Sequence, residues 1–205
     1  MRYLLFICSM LLIISCKQES NQVNANVLNH TETEEEISIE GIQETQKFWN
    51  QLKTLCGKSF EGQLILPEND KDFGGKHLVM HVRSCEENRV KIPFFVGDDK
   101  SRTWVLTYSD SRIQLKHDHR HKDGRSDEIT MYGGTTTNSG QATIQVFPAD
   151  QETKKMIPAA ASNVWWITLD DKEYIYNLRR LGTDRVFRVV FDLTKEIKTP
   201  DEPWG

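Results

Sequence analysis

The stretch Arg112-Ile113-Gln114-Leu115-Lys116-His117-Asp118-His119-Arg120-His121 decides how the rest of the chain is read. Apolar and polar side chains alternate along it, which is the period of an extended strand whose successive side chains point to opposite faces. Ile113 and Leu115 mark the face turned toward a core, and His117, His119 and His121 fall on that same face. Gln114, Lys116, Asp118 and Arg120 fall on the other, which is expected to meet solvent. Imidazoles carried inward in the neutral form need hydrogen-bond partners, a ligand or a metal.

Outward from this segment the pattern repeats. Phe60–Leu66, Lys76–Ser84, Arg89–Phe95, Arg102–Tyr108, Asp127–Tyr132, Ala142–Phe147, Asn163–Leu169, Glu173–Leu181 and Arg185–Leu193 are short runs rich in Val, Ile, Thr and aromatic residues. Turn-forming clusters such as Ser109-Asp110-Ser111, Gly133-Gly134, Asp170-Asp171 and Gly182-Thr183-Asp184 divide them, so most of the runs read as hairpins. One segment differs. Between residues 40 and 56, Ile42, Thr45, Phe48, Trp49, Leu52, Leu55 and Cys56 recur at helical intervals, and Gly57 is placed to end the helix. So many antiparallel strands must protect their edges, and closure removes edges altogether. The fold class expected is therefore all-β: an antiparallel meander barrel of about eight to ten strands with one N-terminal helix, a β-sandwich being the alternative.

A second pair of histidines, His77 and His81, shares a face with Val79 and Arg83 on the run before the third strand. Imidazole nitrogen suits zinc and other transition metals, and a strand-borne H-x-H with a third ligand from a neighbour makes a workable three-ligand site. The candidate metal ligands are His117 and His119 with one of His77, His81 or His121, and Asp118 or Asp123 as an orienting partner. Structural, hydrogen-bonded histidines are the competing reading, and a proton-transfer role is a third. Against a metalloenzyme, no H-E-x-x-H is present, and the alternate positions before Asp123-Gly124 hold imidazoles where a calcium loop needs oxygen ligands.

The N-terminus carries an address. Met1-Arg2 and the apolar run Tyr3–Ile14 read as an export signal, too short for a spanning helix, and Ile13-Ile14-Ser15-Cys16 resembles the lipobox of bacterial lipoproteins. The resemblance implies that residues 1–15 are removed and that Cys16 takes a diacylglycerol and anchors the chain to a membrane, the outer membrane being favoured over the inner. Residues 16–38, polar and including Glu34-Glu35-Glu36, are expected to be a flexible tether with His30 solvated, and residues 39–205 a single β-rich domain. Of the 4 cysteines, Cys8 leaves with the signal and Cys16 carries the lipid, so Cys56 and Cys85 remain in an oxidising compartment as a disulfide, as two free thiols, or in a metal or redox role. The formal charge of −4 argues against a nucleic-acid partner held by net attraction.

Leu55-Cys56-Gly57-Lys58-Ser59-Phe60-Glu61-Gly62, a helix running into a glycine-containing first strand, resembles the entry of lipocalin-type and fatty-acid-binding-type barrels. That resemblance implies a cavity for a small apolar or amphipathic ligand. The blocks Ser101-Arg102-Thr103-Trp104, Leu115–His121 with Asp123-Gly124, and Phe147-Pro148-Ala149-Asp150 resemble an uncharacterised family of bacterial exported proteins, which implies no activity. Phe147-Pro148-Ala149-Asp150 itself reads as a turn. Trp104 and Arg180 are the candidate ligand-binding residues: Arg180 shares the face of Tyr174, Tyr176 and Leu178, either as an inward carboxylate clamp or as a solvated strand end. Of Trp165-Trp166, one indole is expected in the core. No G-x-S-x-G elbow surrounds Ser101. The function expected is a non-enzymatic, membrane-anchored envelope lipoprotein with a small-ligand or metal-binding barrel. A structural or partner-binding lipoprotein without ligand comes second and a metal-dependent hydrolase or lyase third. A cavity above roughly 300 Å³ would favour the ligand binder.

Overall fold

The structure, a computed structural model, describes residues 43–205. The export signal, Cys16, the tether, His30 and Ile42 lie outside the described residues. In chain order the elements are α1 (Glu44–Lys53), β1 (Ser59–Leu66), β2 (Leu78–His81), β3 (Ser84–Cys85), β4 (Arg89–Val96), β5 (Asp99–Ser109) and β6 (Arg112–His119). There follow β7 (Tyr132–Thr135), β8 (Ile144–Pro148), α2 (Gln151–Met156), β9 (Asn163–Leu169), β10 (Glu173–Arg180) and β11 (Val186–Glu196).

Neighbouring strands run antiparallel in the order β7-β6-β5-β4-β2-β1-β11-β10-β9-β8, with β3 added beside β4. Because β1 pairs with β11, the meander curls onto itself, and the sheet forms a nearly closed barrel whose only open edges, among the described residues, are β7 and β8. Tight turns set the register. Between β5 and β6 the two turn residues Asp110 and Ser111 take φ of 50° and 58°, the geometry of the hairpin turn that matches strand twist. The inward face of the sheet is a continuous apolar core that includes Met80, Ile92, Leu106, Leu115, Ile167 and Phe191.

α1 plugs one end. Phe48, Trp49 and Leu52 on its apolar stripe are buried in the core, at about 1.5–3 kcal/mol each relative to exposure. Trp49 stacks on Tyr108 at 5.6 Å and donates its indole N–H to the Glu87 carbonyl, while Thr45 donates to the Ser139 carbonyl and Glu44 accepts from the Ala142 N–H. The helix is shorter than the expected 40–56: Thr54 ends it, and Leu55 and Cys56 belong to the turn that Gly57, at φ +84°, completes. Cys56 and Cys85 are joined in a disulfide, with Cα atoms 6.1 Å apart, which ties that turn to β3.

Three expectations need correcting. Residues 127–131 form no strand; Asp127 and Met131 give single N–H bonds to the His119 and His117 carbonyls, and Met131 is at φ +56°, so pairing starts only at Tyr132. The run Lys76–Ser84 is two strands, not one. Phe147-Pro148-Ala149-Asp150 is more than a turn: Asp150 caps α2 by accepting from the Thr153 N–H at 2.8 Å.

α2 is what seals the gap between the open edges. The Thr153 hydroxyl donates to the Gly133 carbonyl (2.8 Å) and accepts from the Gly133 N–H (2.6 Å), satisfying the otherwise free edge of β7. Gly134 bridges Ala149, and a Cβ at Gly134 would overlap the Pro148 carbonyl. Lys116, buried on the outside of β6, holds Asp150 at 2.7 Å and Glu152 at 2.8 Å. Lys116 was expected in solvent; the helix that covers it supplies the two carboxylates that its burial requires. No helix among the described residues is long and apolar enough to cross a membrane. Gly134→Ala should force the seam apart and cost about 2–3 kcal/mol of stability, read from urea unfolding, with proteolysis faster at residues 136–150; unchanged stability would show that the seam is not held by this close approach.

Candidate ligand site at the barrel mouth

The end opposite α1 is built from the last residues of β4, β6 and β10 and the first residues of β5, β7, β9 and β11. These strand ends converge on a cavity of about 220 Å³. Its walls are aromatic: Phe94, Trp104, Trp165, Tyr176 and Phe187 from the strands, and Phe73 from the loop after β1. Trp104 stacks on Tyr176 at 4.5 Å and on Phe94 at 4.8 Å, and Phe73 meets Phe187 edge-on at 4.7 Å, so the rings brace one another. The polar lining includes Arg102, Arg180, Arg185, His117, His119, Tyr132 and Asn163.

His117 is buried, and both of its ring nitrogens are engaged. Nδ1 lies 2.9 Å from the Tyr132 carbonyl, which can only accept, so the proton is on Nδ1; Nε2, 2.7 Å from the Tyr176 hydroxyl, accepts its O–H. Burial pushes the imidazole pKa down to about 3, with His119 and Lys116 opposing a further positive charge. His119 is likewise held below its ordinary value, by burial first and then by the Arg102 guanidinium, and its Nε2 is 3.1 Å from the Tyr132 hydroxyl. Burial raises Tyr132 and Tyr176, so both phenols stay protonated. At neutral pH the two histidines and two tyrosines of the mouth therefore carry no charge.

The arginines differ. Arg102 is ion-paired with Asp99 and lies 5.3 Å from the Phe73 ring centroid. Arg180 gives its Nε–H to the Asn163 side-chain oxygen at 2.9 Å. Arg185 sits across the β10–β11 hairpin from Arg180, whose backbone N–H bonds the Arg185 carbonyl at 3.0 Å. Neither Arg180 nor Arg185 has an ion-pair partner among the described residues.

The five expected metal ligands do not come together. His117 and His119 line the mouth, but His77 and His81 lie on the outer surface of the barrel, because Leu78, Met80 and Val82 are the residues of that run that enter the core. His81 is buried there against the Ser59 hydroxyl (2.9 Å) and the Lys58 carbonyl (3.2 Å), and His77 is exposed beside Glu61 at 3.4 Å. His121 is exposed too, since β6 ends at His119 and His121 opens the turn closed by the Gly124 N–H. Among the described residues no group of three or more His, Cys, Asp or Glu side chains is placed to hold a metal ion. Asp118, expected in solvent, is buried on the outer face, where Arg120 Nε (2.9 Å) and the Thr130 hydroxyl (3.1 Å) satisfy it; Asp123 pairs with Arg125 away from the mouth.

Trp104 and Arg180 both line the cavity, as does Trp165, while Trp166 faces outward. Sequence reading missed Arg102, Arg185, Asn163 and Phe73. Arg102 and Arg185 carry a signal of position, each at the mouth end of a strand and in parity with inward residues; Phe73, in an irregular loop, carries none.

The chain matches no family model, no curated protein and no solved structure. The resemblance to lipocalin-like barrels accordingly extends to the nearly closed antiparallel barrel and no further.

A neutral buried histidine makes stability depend on pH. The folded pKa of His117, about 3, lies below its unfolded value near 6.5, so the unfolded chain takes up the proton first. His117 therefore contributes fully above pH ~6.5, and its contribution falls by up to about 1.4 kcal/mol per pH unit as pH drops toward 3. Urea unfolding of the wild type at pH 7, 5.5 and 4 should show this slope, and His117→Gln should flatten it; equal slopes would remove His117 as its source.

Proposed function

We propose that this chain is a lipid-anchored protein of the bacterial envelope whose barrel mouth binds a small, largely apolar ligand without transforming it. The observation that carries the reading is asymmetry between the two ends: α1 seals one, and about 220 Å³ stays open at the other among Trp104, Trp165, Tyr176 and Arg180. Below the mouth the barrel is filled with side chains, as small barrels can be. The cavity falls short of the roughly 300 Å³ usual for drug-sized ligands. It exceeds the roughly 150 Å³ that suffices to hold benzene, which limits the ligand to one or two rings.

Both ring nitrogens of His117 and Nε2 of His119 are spent on the Tyr132 carbonyl, the Tyr176 hydroxyl and the Tyr132 hydroxyl, which favours binding over catalysis and over ligation of a metal by the pair. Anchoring rests on Ile13-Ile14-Ser15-Cys16. With the lipid on Cys16 and residues 17–38 as tether, the barrel would sit in the periplasm or at the cell surface, with the outer membrane as the favoured membrane. More than one acyl chain gives stable attachment, at about 0.8 kcal/mol per buried CH₂.

Two measurements test the two halves. Radioactive palmitate fed to the expressing bacterium should label the wild type and leave Cys16→Ala unlabelled; label on the variant would end the anchor assignment. Native mass spectrometry of the chain taken from the envelope should reveal a small molecule released on denaturation. His119→Trp, which fills the mouth, should lower its occupancy about tenfold, equivalent to 1.4 kcal/mol. An identical protein mass before and after denaturation in the wild type would count against the ligand.

A further inference from the structure

We infer that the ligand is a small planar aromatic carboxylate, its ring held between Trp104, Trp165 and Tyr176 and its carboxylate by Arg180 and Arg185; this rests on the ligand-binding reading above. The charge count is the first argument. Among the described residues no Asp or Glu lines the cavity, and the His and Tyr side chains there are neutral. Of the three arginines, only Arg102 has a counter-ion, Asp99, among the described residues.

Arg180 spends its Nε–H on a neutral amide, and its terminal nitrogens make no hydrogen bond among the described residues; Arg185 makes no side-chain hydrogen bond among them. Arg180, half-buried, and Arg185, exposed at the rim, are cross-strand neighbours at the β10–β11 hairpin, a like-charge pairing that an anion between them would relieve. The guanidinium fork matches a carboxylate in two parallel hydrogen bonds, which a neutral polar group cannot reproduce.

Shape is the second argument. Beyond Trp104 the interior is closed by Phe94, Tyr174 and Phe191, whose rings pack against the indole at 4.8, 6.0 and 6.1 Å. A flexible acyl chain has no channel to enter. A flat ring fits the short space above them, where Trp165, Tyr176 and Phe187 offer faces and edges for stacking.

The test is titration calorimetry on the full chain with its anchor in lipid nanodiscs, with protein-free nanodiscs as blank and three probes: naphthoate, the corresponding naphthalenemethanol, and octanoate. Naphthoate should bind at least about tenfold more tightly than either of the others, the scale of a charge-assisted hydrogen-bonded pair. Arg180→Gln with Arg185→Gln should bring naphthoate down to the affinity of the alcohol and leave the alcohol unchanged. Equal binding of naphthoate and its alcohol by the wild type overturns the carboxylate assignment, and octanoate matching naphthoate overturns the aromatic one; in both cases the ligand-binding reading survives. Binding of none of the three overturns both. The wild-type comparison decides even if the double variant does not fold.

Discussion

The pairing of β1 with β11 is the contact on which everything else depends. A meander of short strands has two exposed edges, and a sheet this long would expose one apolar face. Bringing the first strand against the last turns that face inward and leaves only β7 and β8 to be sealed. The seal is polar and local: Thr153 on the β7 backbone, Gly134 against Ala149, and Lys116 locked to the first turn of α2. Closure also gives the strands an inside. From that point the parity of each residue, two per pleat, decides whether a histidine or arginine meets the cavity or the solvent.

The two ends of the barrel then acquire different chemistry. At the α1 end, an apolar helix face and a disulfide close the barrel, and Thr45, Trp49 and Glu44 bond loop backbone. At the mouth, strand ends bring together arginines that the hairpin turns leave at the rim, and aromatic rings that the last inward positions supply. His117 belongs to both regions. It closes the core from above through Tyr176 and bonds the Tyr132 backbone, and burial first, then His119 and Lys116, keep it uncharged. The histidine strand thus supplies neutral structure to the site, and the arginines supply its charge.

Much of the barrel could be read along the chain because hydrophobic alternation and turn chemistry are local. Ile113, Leu115 and His117 point inward as their parity requires. The same rule, applied to His77 and His81, followed the parity of Val79 alone, although Leu78, Met80 and Val82 are three apolar residues of the opposite parity; weighing them would have put both histidines outside. Lys116 and Asp118 obey the alternation but not the inference drawn from it, since an outward side chain is in solvent only if nothing packs over it. α2 and the segment around Thr130 do so. His121 failed for another reason: extension stops where a turn begins, and the His121–Gly124 turn starts one residue too early for it.

The sequence by itself determined the class, the N-terminal helix, most of the strands and their turns, and the inward course of His117, because each of these depends on neighbours a few residues apart along the chain. Only the tertiary structure decided that Arg180, Arg102 and Asn163 line one cavity, that the five histidines are divided between inside and outside, and that the mouth stays open. Those outcomes depend on which strand ends meet once β1 reaches β11, a distance of more than a hundred residues that no local pattern encodes.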